Sequence, residues 1–484
     1  MPNDGAVKLT DGDRALVIGV GRSGMATAAV LRDRGMRVAA YDDKTADQLA
    51  TQRADLARMH VDLIGRDTLA EAAAGAGIAI LSPGIPLTNP AVLAVQRAGV
   101  PVISEIEAAY RISKAPIIAV TGSKGKSTTT ALIGHLLRGA GMRARVGGNI
   151  GNPLIAETAA ASADEWIVAE VSSFQLEGIS EFRPRISVLL NLTPDHLDRY
   201  PSMEEYREAK FRIFANQSAG DTFVANAGDA LLETLRAGKG RTIPCPALFF
   251  AAQERDDVSV SLHAGSIVWR SEGRKAPVKI IDVAKLPLIG LHNVANVMAA
   301  SLAALTAGAP LEAVRRGLRT FAPMPHRLQT VMRSGGVTWV DDSKASNPDA
   351  VVKALESFDA PIILLAGGRS KKTDFRAMAK AAALRAKLVV LIGESAREIG
   401  ALIESGPIVY ATGMEQAVAA AAESATRGDI VLLSPGCASF DMFESAEQRG
   451  DVFAAAVKRQ IAANETAKGE TTDKRHKARD ETKS

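Results

Sequence analysis

Cysteine is almost absent. The chain of 484 residues has two, Cys245 and Cys437, far apart and with no His or Cys at metal-ligand spacing. That excludes a disulfide framework and a structural zinc site, and it fits a reducing compartment. Aromatic residues are scarce at 4%, so the core must be filled by Ala, Val, Leu and Ile. No apolar run approaches the length needed to cross a bilayer, which excludes stable membrane insertion. Charge of one sign is lacking too: 58 Lys and Arg face 54 Asp and Glu, a net +4. Such a balance leaves no basic footprint for nucleic acid. The opening residues, Met1-Pro2-Asn3-Asp4-Gly5, lack the basic and apolar layout of a signal peptide. A cytoplasmic protein is expected, and a monomer. What is present is ordinary for a globular chain, 47% hydrophobic and 23% charged, with length for about three domains.

The stretch that organises the rest begins with the β-branched run at residues 117–120. It continues as Thr121-Gly122-Ser123-Lys124-Gly125-Lys126-Ser127-Thr128, and residues 131–137 read as a helix. Strand, Gly-rich turn and helix in that order let backbone N–H groups converge on a polyphosphate at a helix N-terminus. Lys126 can then reach the β- and γ-phosphates, and Ser127 can bind a magnesium ion. Val120 stands where a strict phosphate loop has its first Gly, so the match is to a shortened variant, T-G-S-x-G-K-S. A surface turn with a solvated Lys is the plain alternative; the flanking strand and helix weigh against it.

Upstream, residues 15–18 form a short strand pattern followed by Gly19-Val20-Gly21-Arg22-Ser23-Gly24, a G-x-G-x-x-G in a βα setting. The next strand, residues 38–41, ends at Asp42-Asp43, where an acid for a ribose would stand. NAD is the obvious ligand, yet the same geometry holds any nucleotide diphosphate, so an NAD-dependent oxidoreductase stays open here. The strand at residues 78–81 runs into Ser82-Pro83-Gly84. That turn is either a ligand loop at a strand's carboxyl end or a rigid turn and no more.

After the phosphate loop, Gly147-Gly148-Asn149-Ile150-Gly151-Asn152-Pro153 reads as a second backbone-exposing loop. A strand at residues 166–171 carries Glu170 near its end, ahead of Ser172. An acid there suits a magnesium-organising role, against the alternative of a structurally paired Glu. The strand at residues 186–192 leads to Thr193-Pro194-Asp195-His196. His196 at the tip of the same sheet reads as a metal neighbour rather than a surface His. Lys210 lies on a helix at residues 206–214, and nothing in its local setting marks it. Residues 258–262 and 266–270 look like antiparallel partners. Asn293 and Asn296 share one helix face; they either cap that helix or read a purine edge.

A third region begins near Pro323-Met324-Pro325-His326-Arg327 and alternates strands with helices. Three loops at strand ends carry its polar residues: Asp341-Asp342-Ser343-Lys344-Ala345-Ser346-Asn347, Gly367-Gly368-Arg369-Ser370-Lys371-Lys372, and Ser434-Pro435-Gly436-Cys437-Ala438-Ser439-Phe440-Asp441. In an open α/β sheet such loops converge on one crevice, and the lysines point to an anionic substrate. Residues 465–484 have no apolar periodicity and read as a disordered tail. The expected fold is α/β, three domains each on a mostly parallel sheet. Residues 1–110 are Rossmann-like, 111–322 resemble a phosphate-loop ATPase, and 323–464 are again Rossmann-like.

Taken in order, T-G-S-K-G-K-S, G-G-N-I-G-N-P, E-V-S-S-F-Q-L-E, N-L-T-P-D-H-L-D-R-Y, G-L-H-N-V-A-N and P-H-R resemble the ATP machinery of the Mur ligases. The loops D-D-S-K-A-S-N, G-G-R-S-K-K and L-S-P-G-C-A-S-F-D are similar to the branch that adds D-glutamate to UDP-N-acetylmuramoyl-L-alanine. The resemblance implies an ATP-dependent amide ligase working through an acyl phosphate, with two magnesium ions. It implies that Gly21, Arg22, Ser23, Gly24, Asp42, Asp43, Ser82, Pro83, Gly84, Asn149 and Ser172 hold the UDP-sugar. Gly122 to Thr128, with Asn293 and Asn296, Arg327 and Asp342, would hold ATP. It further implies a carbamylated Lys210, which with Ser127, Glu170 and His196 would bind the metal; Lys126, Glu170, His196 and Lys210 carry the catalytic roles. Lys344, Ser346, Lys371, Ser439 and Phe440 would receive D-glutamate. Ser346 replaces the Thr usual in that pattern and keeps the hydroxyl. The rival ligases, another Mur enzyme or a folylpolyglutamate synthetase, differ in these third-domain loops.

Overall fold

The computed structural model describes residues 9–10, 12–196, 199–239, 241–271, 276–288, 290–322, 325–370 and 373–481, with side chains to residue 464. Three sheets follow one another along the chain. In the first, β1 (Arg14–Ile18), β2 (Arg37–Tyr41), β3 (Asp62–Ile64), β4 (Ile78–Leu81) and β5 (Val102–Ser104) pair in the order β3-β2-β1-β4-β5, all parallel. The order reverses between β1 and β4, so the loops after these strands, Gly19–Gly24 and Ser82–Gly84, flank one switch point.

The second sheet has nine strands: β6 (Ile117–Thr121), β7 (Ala144–Gly148), β8 (Trp166–Glu170), β9 (Ile186–Leu189), β10 (Thr222–Asn226), β11 (Ala247–Glu254), β12 (Val260–His263), β13 (Ser266–Trp269) and β14 (Val278–Asp282). Their order is β14-β13-β12-β11-β10-β9-β6-β8-β7. β6 sits between β8 and β9 and is parallel to both, so the phosphate loop, Glu170 and the segment after Leu189 all leave the same sheet edge. β12 and β13 form the expected antiparallel pair, Val260 opposite Trp269. Two features escape the sequence. Gly147 and Gly148 belong to β7, not to a loop. β9 stops at Leu189 because residues 191–193 turn aside to bond the phosphate loop.

The third sheet comprises β15 (Gln329–Ser334), β16 (Val337–Asp341), β17 (Ile362–Gly367), β18 (Ala386–Ile392), β19 (Ile408–Tyr410) and β20 (Ile430–Leu433), ordered β15-β16-β20-β17-β18-β19. Only β15 runs antiparallel, against β16. Along β17, Ile362, Leu364 and Ala366 enter one apolar cluster and Ile363 and Leu365 another. A strand covered on both faces reads as an unbroken apolar run, which is why it is legible.

Residues 1–286 with 292–321 make one compact unit, and residues 287–291 with 322–484 a second. The first two sheets therefore share a body. A continuous cluster of buried residues runs from Val17 and Ile106 to Ile155 and Ile167. The last helix runs Ala446–Glu481 and so continues into the stretch from residue 465. That stretch contains no proline, and its Lys, Arg and Glu residues favour helix even without an apolar stripe to bury.

Candidate active site

In the first unit β6 delivers the chain to its phosphate loop. Gly122 and Gly125 take φ of +151° and +86°, and the helix Lys126–Gly139 starts at once. Space matters as much as φ: a Cβ on Gly125 would strike the Asn296 amide. Asn296, on the helix Leu291–Thr306, thus stands against the loop and donates to Asn293 Oδ1 at 3.0 Å. The loop is fastened to the segment beyond β9. Lys124 N–H donates to Asn191 Oδ1 at 2.8 Å, and Asn191 Nδ2 donates back to Lys124 O at 3.0 Å. Ser123 Oγ donates to Thr193 O at 2.9 Å and meets the Tyr206 hydroxyl at 3.0 Å. Ser127 and Thr128 are half-buried in the helix's first turn.

Three lysines gather here. Lys126 Nζ donates to Gly122 O and Ser123 O, both at 3.0 Å. Lys124 pairs with Asp195 Oδ2 at 3.0 Å. Burial pushes the Asp195 carboxyl up, but the Lys124 bond and charge outweigh it and hold the group low. Lys210, on the helix Met203–Phe211, is 1% exposed and donates to Gly122 O at 2.9 Å. The Tyr206 ring lies 4.7 Å from its Nζ. Burial first, then the Lys126 charge, push its pKa well below that of an ordinary lysine, which shifts the balance toward the neutral amine.

Glu170 ends β8. Its Oε1 accepts the Asn149 amide at 2.8 Å, while Oε2 is buried without a partner. A bare buried carboxylate oxygen is costly unless a cation meets it, so this atom fits a metal ligand. His196 is exposed at φ +55°, its ring centroid 4.8 Å from that of Phe174. Among the described residues no group of three or more His, Cys, Asp and Glu is placed to hold a metal. Glu170 and His196 would therefore need Ser127 and an oxygen ligand on Lys210 to complete a set.

The first sheet builds a second cradle. Gly21 begins the helix Arg22–Asp33 without a side-chain cap, which leaves first-turn N–H groups available to an anion. A Cβ on Gly24 would run into the Gly19 carbonyl oxygen, and Ser82 Oγ donates to that same oxygen at 2.7 Å. Asp42 Oδ2 accepts the Val20 N–H at 2.9 Å and so braces the glycine loop. Asp43 accepts from Asn89 at 2.9 Å and from the Tyr41 hydroxyl at 2.7 Å, and these bonds hold its carboxyl low. Gly24→Ala is expected to cost about 1–3 kcal/mol through overpacking, read as a lower urea midpoint at unchanged slope. At the end of β8, Asn149 N–H donates to Glu170 O at 2.9 Å, and Ser172 opens the helix Ser173–Glu177 through a capping box with Gln175.

In the second unit the three strand-end loops do converge. Gly436 N–H donates to Ala345 O, and Arg369 and Ala438 exchange two backbone bonds. Lys344 forms an ion pair with Glu447. Asp342 accepts from Leu328 N–H at 3.2 Å and Ser434 Oγ at 3.1 Å; burial pushes its carboxyl up to about 7, and the Arg327 charge is among the groups that pull it down. Ser439 is buried, and Phe440 is 64% exposed beside it. Ser346 is half-buried near the start of the helix Pro348–Glu356. Lys371 lies outside the described residues. Sequence reasoning missed Arg449, 1% exposed, whose guanidinium bonds Ser343 Oγ, Ser343 O and Cys437 O and so ties two of the loops together. Nothing local distinguishes it from a surface helical Arg. Asn191, Asp195 and Tyr206 were missed as well; their proximity to the phosphate-loop motif in the sheet was the available signal.

Three family models match in succession: the Mur ligase MurD-like N-terminal domain at residues 13–104, the Mur ligase middle domain at 120–304, and the Mur ligase glutamate ligase domain at 326–437. A UDP-N-acetylmuramoylalanine–D-glutamate ligase of Pelotomaculum thermopropionicum is 43% identical over 450 residues, 91% of this chain and 96% of its own length. The chain belongs to the Mur ligase family. A second relative of the same name, from Acidobacterium capsulatum, is 40% identical over 451 residues, covering 91% of this chain and 95% of that protein. The MurF ligase of Thermotoga maritima, solved in complex with ADP, superposes at TM-score 0.57 with 18% identity, covering 96% of this chain and 98% of its own. MurC of the same organism superposes at 0.54 with 18% identity over 94% of this chain and 99% of its own. This Mur ligase shares their three-domain fold and is an ATP-dependent ligase. Gly19, Gly21 and Gly24 thus sit in a Mur ligase N-terminal domain, which removes the NAD-oxidoreductase reading. No helix among the described residues is long and apolar enough to cross a membrane.

Proposed function

We propose that this Mur ligase joins D-glutamate to UDP-N-acetylmuramoyl-L-alanine in the cytoplasmic synthesis of a peptidoglycan precursor. The supporting observation is that identity of 40–43% to proteins named for that reaction extends over nine-tenths of the chain, including the nucleotide-sugar and glutamate domains. The muramoyl-alanine carboxylate attacks the γ-phosphorus of ATP, the bond to the β-phosphate breaks, and an acyl phosphate and ADP result. Lys126 neutralises the phosphoryl group in transit. The D-glutamate amine then attacks the acyl carbon, phosphate leaves, the amine loses its proton and an amide remains. A carboxylate alone is too poor an electrophile; ATP supplies its leaving group.

Gly21 to Gly24, Asp42, Asp43, Ser82 to Gly84, Asn149 and Ser172 bind the UDP-sugar in this reading. Asn293 and Asn296 take the adenine, with Arg327 and Asp342 toward the phosphates and ribose. Magnesium, two ions in this scheme, would be held by Ser127, Glu170, His196 and a Lys210 carbamate, and would supply charge neutralisation on the phosphates. The carbamate forms when the neutral Lys210 amine attacks carbon dioxide and loses a proton. An amino-acid panel with ATP, magnesium and UDP-N-acetylmuramoyl-L-alanine tests the reading: phosphate should appear with D-glutamate and with no other amino acid. Lys344→Ala should raise the KM for D-glutamate about 10–100-fold, as for loss of a charged hydrogen bond, with the KM for ATP unmoved; an unchanged D-glutamate KM removes Lys344 from the pocket.

A further inference from the structure

Two loops assigned to the nucleotide sugar end in helices, and a buried carboxyl meets the start of the first of them. The segment after Asn149 enters the helix Leu154–Ala160, whose N-cap is Pro153 with no side-chain cap of its own. The missing cap comes from the first sheet. Glu105, the residue after β5, places Oε1 2.8 Å from the Ile155 N–H. Glu105 is 1% exposed. On the other side, Gln175 Oε1 accepts the Ser172 N–H at 2.9 Å and the Ser172 hydroxyl at 3.1 Å. Burial pushes the Glu105 carboxyl up to about 7 against the pull of the Ile155 N–H, and its Oε2 is buried without a hydrogen-bond partner. Its neighbour Glu107 differs. That carboxylate accepts the N–H groups of Ser180, Glu181 and Phe182 and pairs with Arg111, a loop with no assigned substrate contact.

We propose that Glu105 is a positioning residue for the nucleotide-sugar substrate, its carboxyl fixing the helix start beyond Asn149 to the sheet that carries the glycine cradle. This rests on the functional reading above of Asn149 as a sugar-nucleotide contact. One acceptor oxygen suffices for the Ile155 bond, so Glu105→Gln keeps the device and Glu105→Ala removes it.

Calorimetric binding of UDP-N-acetylmuramoyl-L-alanine without ATP, beside steady-state kinetics, tests it. Glu105→Ala should raise both the Kd and the KM for the UDP-sugar about tenfold or more, with the KM values for ATP and D-glutamate within about twofold. Glu105→Gln should stay within about threefold of the natural protein. Glu107→Ala should lower the melting temperature and leave the UDP-sugar Kd in place. Should Glu105→Ala not fold, Glu105→Asp, which draws the acceptor oxygen back from the Ile155 N–H by one carbon, carries the same expectation of weaker binding. Natural-like binding by Glu105→Ala, or equal weakening by Glu107→Ala, overturns the proposal while the functional reading stands. If the natural protein itself does not bind the UDP-sugar, that reading falls and the proposal with it.

Discussion

Lys126→Ala should cut UDP-sugar-dependent phosphate release by about 10²–10³-fold, the loss expected when one preorganised charge-stabilising group is removed. The fold should survive. Lys126 Nζ rests on the carbonyls of Gly122 and Ser123, but Gly122 O also accepts from Lys210, and Asn191 and Thr193 brace the loop independently. The melting temperature should therefore barely move, which separates a chemical defect from a structural one. A second consequence follows from the electrostatics. The Lys126 charge ranks next to burial among the causes that depress the Lys210 pKa. Without it Lys210 holds its proton more readily, and an ammonium there would repel magnesium. Lys126→Ala thus removes a phosphate contact and also biases its neighbour toward the wrong protonation state. Lys126→Arg keeps the positive charge and should restore the second effect more fully than the first. Turnover by Lys126→Ala within tenfold of the natural protein would refute the phosphate-loop assignment.

Much of this arrangement can be read before any coordinates. The strands that reveal themselves are those buried on both faces, such as Ile362 to Leu365, because nothing polar interrupts them. The phosphate loop and the three strand-end loops of the second unit are legible for a related reason: their glycines and charges sit where apolar runs stop. Other elements are opaque locally. Gly147 and Gly148 look like a turn, yet they extend β7, and Gly148 at φ +100° lies where a Cβ would meet the Glu170 carbonyl. The requirement is for close approach, and only the neighbouring strand reveals it. Lys210 and Arg449 read as solvated helical cations; their burial is set by residues distant in sequence, Gly122 for one and Ser343 and Cys437 for the other. Glu105 is the same case with the opposite charge. Periodicity reports which face of an element is apolar. It does not report which polar side chain is drawn inside to satisfy another element's backbone.

Stripping carbon dioxide from enzyme and buffers should silence the ligase nearly as thoroughly as Lys210→Gln, by about 10²-fold or more if the modified lysine is a metal ligand. The reasoning begins with burial. An ammonium at 1% exposure, near Lys126 and Lys124, is disfavoured by desolvation and by like charge. The neutral amine is the form that attacks carbon dioxide. Once a carbamate forms, the local balance changes: the charges of Lys124 and Lys126 offset those of Asp195 and Glu170, so the new anion is an excess negative charge within the field of Glu170, whose Oε2 is bare. Such an oxygen ligand, together with the bare Glu170 oxygen, would suit a divalent cation, and magnesium prefers oxygen. Because the amine must be neutral and a proton is released, the modified fraction at fixed carbon dioxide pressure should rise with pH. Bicarbonate labelled with carbon-13 should give a carbamate resonance in the natural protein and none in Lys210→Gln. Returning bicarbonate should restore turnover to the stripped natural enzyme and leave Lys210→Gln inactive. Full activity in the stripped enzyme, or in Lys210→Gln, would show that the lysine serves as an amine or not at all, and the metal set would then be one ligand short.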